Sequence, residues 1–126
     1  MKFRWRRDDP NLGRQGEDIA ARFLRGKGYS ILERNSWQGR YEIDIVARQG
    51  DTVVFVEVRT KRPGGPVPPE DTVGPLKQRH IRLAARHYCT YHPDPKIYYR
   101  FDIIAILLPE NAKPEIKHYE DAFQDG

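Results

Sequence analysis

Two acidic side chains interrupt aliphatic segments that otherwise have the composition of buried strands. Asp44 lies within Tyr41–Ala47 (YEIDIVA), and Glu57 lies within Thr52–Arg59 (TVVFVEVR). A carboxylate inside an apolar strand loses its hydration, so each of these must be paired, protonated or bound to a cation. Two carboxylates that meet repel each other unless a positive group lies between them. Mg²⁺ suits that position because it takes oxygen ligands.

The segments that carry these residues are expected to form a hairpin. Alternation in the first segment predicts one apolar face, consisting of Ile43, Ile45 and Ala47. The second segment is apolar on both faces up to Glu57, as in a central strand. A turn centred on Gln49–Gly50 pairs Asp44 with Phe55. The same register pairs Glu42 with Glu57, which makes Asp44 a diagonal neighbour of Glu57.

A third acidic residue lies on a predicted helix. Apolar residues recur at helical spacing between Gly13 and Gly28, where Lys27-Gly28 is typical of a helix end. On a helical wheel Glu17 lies within about 20° of Leu24, at the edge of the buried stripe. The Glu17 carboxylate is therefore expected to point along the edge of the buried stripe of this helix and away from its fully solvated side.

The rest of the chain alternates between strand and helix patterns. The predicted elements are a strand at 29–34, a polar turn region at 35–40, a second helix at 76–91, a strand at 97–108 and a weaker last strand at 115–123. Arg62–Pro75 holds five of the ten prolines and three of the ten glycines, which predicts a mobile loop. This order predicts an α/β domain with a mixed sheet.

Length and charge restrict the class of protein. The chain has 126 residues, as expected for one domain, and 22 Lys and Arg against 18 Asp and Glu give a net charge of +4. The predicted domain covers 13–123, between a flexible basic tail at 1–12 and a C-terminal tail at 124–126. The longest apolar run, Ile103–Leu108, is too short to span a bilayer. Asp8 and Asp9 follow the N-terminal cations where a secretory signal would be apolar, so we expect a cytoplasmic protein without a membrane segment.

The cysteine and histidine content argues against a zinc site. The single cysteine, Cys89, excludes an internal disulfide, and the four histidines show no metal-binding spacing. Any metal bound by this chain is therefore expected to have oxygen ligands.

Several motifs together closely resemble the YraN family of small bacterial proteins. They are GRQGEDIAARFL, YSILERN, YEIDIVA, VFVEVRTK, LKQRHIRLAARHY and RFDIIAI, and the resemblance covers nearly the whole chain from 13 to 123. That family is similar to archaeal Holliday junction resolvases and to the PD-(D/E)xK superfamily. The resemblance implies a restriction-endonuclease-like mixed β-sheet flanked by helices. It also implies a Mg²⁺-dependent endonuclease, with Mn²⁺ as a possible substitute, acting on DNA such as branched or junction DNA in repair or recombination.

The resemblance also assigns roles position by position. The catalytic residues it implies are Glu17, Asp44, Glu57 and Arg59, to which strand geometry adds Lys61. The expected metal ligands are Asp44, Glu57 and Glu17, with the Val58 backbone carbonyl added because it lies between Glu57 and Arg59. Gln78 matches the glutamine sometimes found on the following helix.

Arg59 departs from the superfamily pattern, which has lysine in the (D/E)xK element. Arginine stays protonated and cannot act as a neutral base, although it can hold phosphate or stabilise developing negative charge. Lys61 lies on the same face if the strand continues, and it is the candidate substitute.

Alternative interpretations accompany each functional assignment. The acidic residues could form a buried ion-pair network with Arg59 and Arg40, and the chain could be a non-catalytic nucleic-acid-binding module or a protein-interaction adaptor. The candidate nucleic-acid-binding residues are Lys77, Gln78, Arg79, Arg82 and Arg40, which could equally form a solvated face. Trp37 could border a substrate groove or cover the sheet, and Asp102 is expected to pair with Arg100. A homodimer is plausible because a resolvase-like enzyme cuts two strands.

Overall fold

Five strands form one sheet in the computed structural model, which describes residues 10–125, the side chain of Pro10 excepted. The elements are α1 (Pro10–Gly26), β1 (Ser30–Gln38), β2 (Tyr41–Gln49), β3 (Thr52–Lys61), a 3₁₀ helix (Pro69–Thr72), α2 (Pro75–Tyr91), β4 (Tyr98–Leu107) and β5 (Glu115–Phe123). Of the predicted tail at 1–12, residues 1–9 lie outside the described residues and 10–12 belong to α1. Within the described part of the chain, neither α-helix is long and apolar enough to cross a membrane.

The strands lie in the order β1-β2-β3-β4-β5, and only β3 and β4 are parallel. Because parallel neighbours need a crossover, the chain passes through α2 between them. Helix α1 packs on one face of the sheet and α2 on the other. This confirms the predicted α/β class with a mixed sheet flanked by helices, and it is consistent with a restriction-endonuclease-like fold.

Strand β3 contributes to two separate apolar cores. Val54 and Val56 pack with α1, whereas Val53 and Phe55 pack with α2. The alternation of one strand between two buried faces explains why its sequence is apolar throughout. The prediction of a central strand is therefore confirmed.

Several predicted boundaries are wrong for identifiable reasons. Helix α1 begins at Pro10, three residues before the predicted start, because Leu12 is buried in the α1-side core and proline is favoured in a first helical turn. Strand β1 continues to Gln38, so the predicted turn region contracts to Gly39 and Arg40. Helix α2 begins at Pro75, one residue before the predicted start, and its Leu76 is 67% exposed.

The β2–β3 hairpin has a different register from the predicted one. Val46, not Asp44, lies opposite Phe55, because the turn consists of Gly50 and Asp51. Gly50 has φ of +61°, and a glycine with positive φ at the first turn position is typical of a type II′ hairpin. Continuing this register past the paired residues places Asp44 opposite Glu57 instead of diagonal to it.

Gly16 allows α1 to approach β3 closely. A Cβ at this position would collide with the Thr60 hydroxyl and lie 2.8 Å from the Thr60 Cβ. The absence of a side chain thus fixes the depth at which the next residue, Glu17, meets the sheet.

A substitution at Gly16 is expected to destabilise the fold. Gly16→Ala should lower the free energy of unfolding by about 1–3 kcal/mol, the usual effect of overpacking. The matched control is Gly13→Ala, since nothing lies within 4 Å of a Cβ there and alanine favours helix by about 0.5–1 kcal/mol. Urea unfolding of both variants measures the difference, and equal stabilities would contradict the close α1–β3 contact.

Candidate active site

Strands β2 and β3 separate beyond the pair Ile45–Val56. At this fork the backbone N–H of Val58 donates to Asp44 Oδ2 at 2.9 Å, in place of a main-chain acceptor on β2. The N–H and C=O of one extended residue point to the same side of its strand. The Val58 carbonyl therefore also faces the fork.

Both strands of the β1–β2 ladder are distorted at the level of Asp44. Ile43 packs in the α2-side core and Ile45 in the α1-side core, although strict alternation predicts that they share a face. The flanking ladder pairs place Asn35 opposite Asp44, and Asn35 has φ of +49°. Asparagine tolerates this left-handed conformation better than most residues. The distortion puts the Asp44 side chain between the two faces, where it reaches β3.

Glu57 is a buried carboxylate with two cationic partners. It is 4% exposed on the α2 face of β3. Its Oε2 lies 3.2 Å from Arg59 Nη2 and 3.4 Å from Lys77 Nζ. Arg59 lies two residues from Glu57 and therefore on the same face of β3. Lys77, predicted only as a nucleic-acid contact, instead reaches this site from the first turn of α2.

The pKa of Asp44 is raised well above its ordinary value. Burial is the largest cause, and the hydrogen bond and negative charge of Glu57 add to it. The Val58 N–H and the Lys77 charge oppose the rise without cancelling it. The fork therefore favours a proton, or another cation, between the two carboxylates.

Glu17 lies at the edge of this pair and does not join it directly. Its Oε1 accepts a 2.6 Å hydrogen bond from Asn35 Nδ2, and that nitrogen also lies 3.5 Å from Glu42 Oε1. Burial raises the pKa of Glu17; the Asn35 hydrogen bond lowers it, and the charges of Asp44 and Glu42 raise it further. Asn35 thus connects the helical glutamate to the rim of the fork. The sequence did not indicate a role for Asn35, because that role depends on its position opposite Asp44 in the β1–β2 ladder.

The donors at the fork fit one hard divalent cation. Among residues 10–125, no group of three or more His, Cys, Asp or Glu side chains could hold a metal ion. The fork nevertheless offers two carboxylates, Asp44 and Glu57, and the Val58 carbonyl. Mg²⁺ commonly uses one or two carboxylates and completes its shell with water and substrate phosphate. The geometry favours Asp44 and Glu57 as the metal pair, with Glu17 outside it.

Other predicted site residues have different contacts. Lys61 Nζ lies 3.4 Å from the Val67 carbonyl, so it is engaged with the proline-rich loop. Gln78 donates to the Val73 carbonyl and accepts from Arg82. Neither side chain replaces the missing lysine at Glu57.

The candidate nucleic-acid-binding residues do not form a single surface around the fork. Arg40 is exposed in the turn between β1 and β2, and Arg79 is exposed on α2. Arg82 Nε donates to the Gln124 carbonyl at 2.6 Å. In the structure, Arg40 forms no ion pair with Asp44 or Glu57, and of the two predicted cations in the network alternative only Arg59 is found there.

Comparison with known proteins agrees with the resemblance in the motifs. Residues 16–106 match the model of an uncharacterised protein family, UPF0102. A UPF0102 protein of Geotalea uraniireducens is 44% identical over 124 residues, covering 98% of each chain. A second, from Geotalea daltonii, is 46% identical over 98% of this chain and 97% of its own. A third, from Rhodococcus opacus, is 43% identical over 89% of this chain and 95% of its own. The chain therefore belongs to UPF0102, the family identified above as YraN.

Proposed function

We propose that this chain is a Mg²⁺-dependent endonuclease that hydrolyses phosphodiester bonds in DNA, with branched or junction DNA as its substrate. The observation that carries the proposal is the strand fork, where Asp44 and Glu57 meet beside Val58. A raised carboxyl pKa beside a second carboxylate is typical of sites that bind a cation or transfer a proton.

Each side chain has a role that follows from its contacts. Asp44, Glu57 and the Val58 carbonyl would hold the metal, which when bound polarises phosphate and lowers the pKa of attacking water. Arg59 would bind a phosphate oxygen, since its buried Nε has no hydrogen-bond partner in the described structure. Glu17, fixed by Asn35, would orient water at the edge of the site.

A second candidate is a non-catalytic nucleic-acid-binding module. Arg59 stands where the superfamily has lysine, and both Arg59 and Lys77 already contact Glu57. A degenerate site could keep these contacts as a structural ion-pair network. Such a module would bind nucleic acid in a salt-dependent manner and would be indifferent to Mg²⁺.

A cleavage assay separates the two candidates. Labelled four-way junction, flap, duplex and single-stranded DNA are incubated with Mg²⁺, Mn²⁺ or EDTA, with wild type beside Glu57→Ala. The proposal predicts cutting that requires the metal and disappears in the variant. Salt-sensitive binding without cutting under any metal would instead support the binding module.

Lys77 is expected to contribute more to cleavage than its neighbours on α2. Lys77→Ala should slow cleavage by about 10²-fold or more, the usual effect of losing one charge-stabilising group. Arg79→Ala is the matched control, because Arg79 is an exposed α2 cation. It should change only salt-dependent affinity. Single-turnover rates at saturating enzyme make the comparison, and equal rates for wild type and Lys77→Ala would remove Lys77 from the site.

A further inference from the structure

The hairpin of β1 and β2 separates from β3 beyond the fork. The β2–β3 ladder ends at Ile45–Val56, whereas β1 and β2 remain paired as far as Gln38–Tyr41 and β3 continues beside β4 to Lys61. Helix α2 covers one face of this separated ribbon, residues 35–44. There His80 stacks on Tyr41 with ring centroids 4.1 Å apart, and His87 lies 2.9 Å from Gln38. On the other face, α1 reaches the ribbon through the hydrogen bond between Glu17 and Asn35, and Trp37, two residues further along β1, is exposed.

Trp37 lies on the uncovered face. Its neighbours Ser36 and Gln38 are buried on the α2 side, so alternation directs the indole to the opposite side. Trp37 is 67% exposed, although an indole contributes more to stability when buried than most side chains. Trp37 therefore does not cover the sheet, and its ring face is available to a ligand.

The surroundings of Trp37 join it to the candidate active site. Its cross-strand partner is Glu42, which lies beside Asn35, the residue that holds Glu17. Arg40 follows in the exposed turn and forms no ion pair within the described residues. The rim thus offers an aromatic ring face and, a few residues away, a cation. These are the two groups that bind the base and the phosphate of one nucleotide.

We propose that Trp37 stacks on an unpaired nucleobase next to the cleaved phosphodiester and thereby selects DNA with unpaired bases over continuous duplex. This inference rests on the proposed function. Bases inside a duplex already stack on their neighbours, so an indole reaches a base face only at a flap, junction, bulge or single strand. Arg40 binds the phosphate of the same or the adjacent nucleotide.

Binding measured without cleavage tests this selection. In a Glu57→Gln background with Mg²⁺, fluorescence anisotropy gives the affinity for single-stranded, flap and duplex DNA. Trp37→Ala should weaken binding of the first two by about 5- to 150-fold, as expected for the loss of one aromatic–base stack, and leave duplex binding within twofold. Trp37→Phe should restore most of the affinity. Tyr98→Ala is the control, because Tyr98 is 69% exposed at the start of β4, away from the fork.

A second readout follows the indole itself. Trp37 is one of two tryptophans, so Trp5→Phe leaves it as the remaining one, and single-stranded DNA should quench its emission more than duplex does. Equal losses of affinity for all DNA forms, or no loss in Trp37→Ala, would overturn the inference while leaving the nuclease proposal standing. Wild type that neither cuts nor binds any DNA would overturn both.

Discussion

Asp44→Asn should make the metal-free protein more stable while removing its response to Mg²⁺. The asparagine oxygen can still accept the Val58 N–H, and its NH₂ can donate to Glu57 where two carboxylates now repel. We expect a gain of about 1–2 kcal/mol in the free energy of unfolding at neutral pH in EDTA, because a neutral amide replaces one of two neighbouring carboxyl groups. Mg²⁺ should raise the thermal midpoint of wild type and leave that of the variant unchanged.

The dependence of the free energy of unfolding on pH tests the same assignment of Asp44. Because the pKa of folded Asp44 is raised above its unfolded value of about 3.8, the folded chain binds more protons than the unfolded chain between those two pH values. Metal-free wild type should therefore lose stability as pH rises through this window, and Asp44→Asn should reduce the loss. A variant less stable than wild type at neutral pH, with Mg²⁺ stabilisation intact, would contradict the assignment of Asp44.

Asp102→Ala should be among the most destabilising substitutions in the chain. Asp102 is fully buried, and each of its carboxylate oxygens accepts two hydrogen bonds of 2.7–3.0 Å. Oδ1 accepts from Arg100 Nε and the Asp121 N–H, and Oδ2 accepts from Arg100 Nη2 and His118 Nε2. Removing this acceptor leaves Arg100 without its ion-pair partner. It also removes the acceptor of the Asp121 N–H, at a residue of β5 whose φ is +53°. The expected loss is about 3–5 kcal/mol.

An exposed pair provides the control for Asp102. Asp18 accepts a 2.7 Å hydrogen bond from Arg34 but is 52% exposed, so Asp18→Ala should change stability by less than about 1 kcal/mol. Urea unfolding measures the free energy of unfolding of both variants. Similar losses in Asp102→Ala and Asp18→Ala would show that burial does not determine how much an ion pair contributes to stability.

Half-buried Asp44 and fully buried Asp102 should also differ in how their contributions to stability change with pH. Burial by itself would raise the pKa of Asp102, but the hydrogen bonds from His118 and Arg100 outweigh it, so the pKa is lowered. Asp102 therefore contributes stability above its unfolded pKa, and this stability is lost as pH falls through the folded value. Asp44 has no such set of donors, and its contribution runs in the opposite direction.

The central elements of the fold could be predicted because their residues repeat with regular spacing. The doubly apolar pattern of β3 and the single helical crossover predicted a mixed sheet with β3 at its centre. The predicted hairpin brought Asp44 and Glu57 together as diagonal neighbours, and the salt bridge of Arg100 with Asp102 followed from alternation and is confirmed. These features depend on local periodicity, which a sequence shows directly.

Features that depend on turn position and tertiary contact could not be predicted. One residue of difference in the Gly50–Asp51 turn changed the β2–β3 register. The contact of Lys77 with Glu57 depends on how α2 is rotated against β3, and the partnership of His118 with Asp102 depends on the pairing of β5. Neither leaves a signal in the sequence, because each joins segments that are distant along the chain.

The rate of DNA cleavage in Mg²⁺ by Glu57→Gln, measured beside wild type and Glu42→Gln, tests the central claim most directly. Glu42 is a half-buried glutamate at the rim of the same fork, so its variant controls for the loss of one nearby negative charge. The account predicts single-turnover cleavage by wild type, a fall of about 10³-fold or more in Glu57→Gln, and a rate near wild type in Glu42→Gln. Equal cleavage by Glu57→Gln and wild type would contradict it.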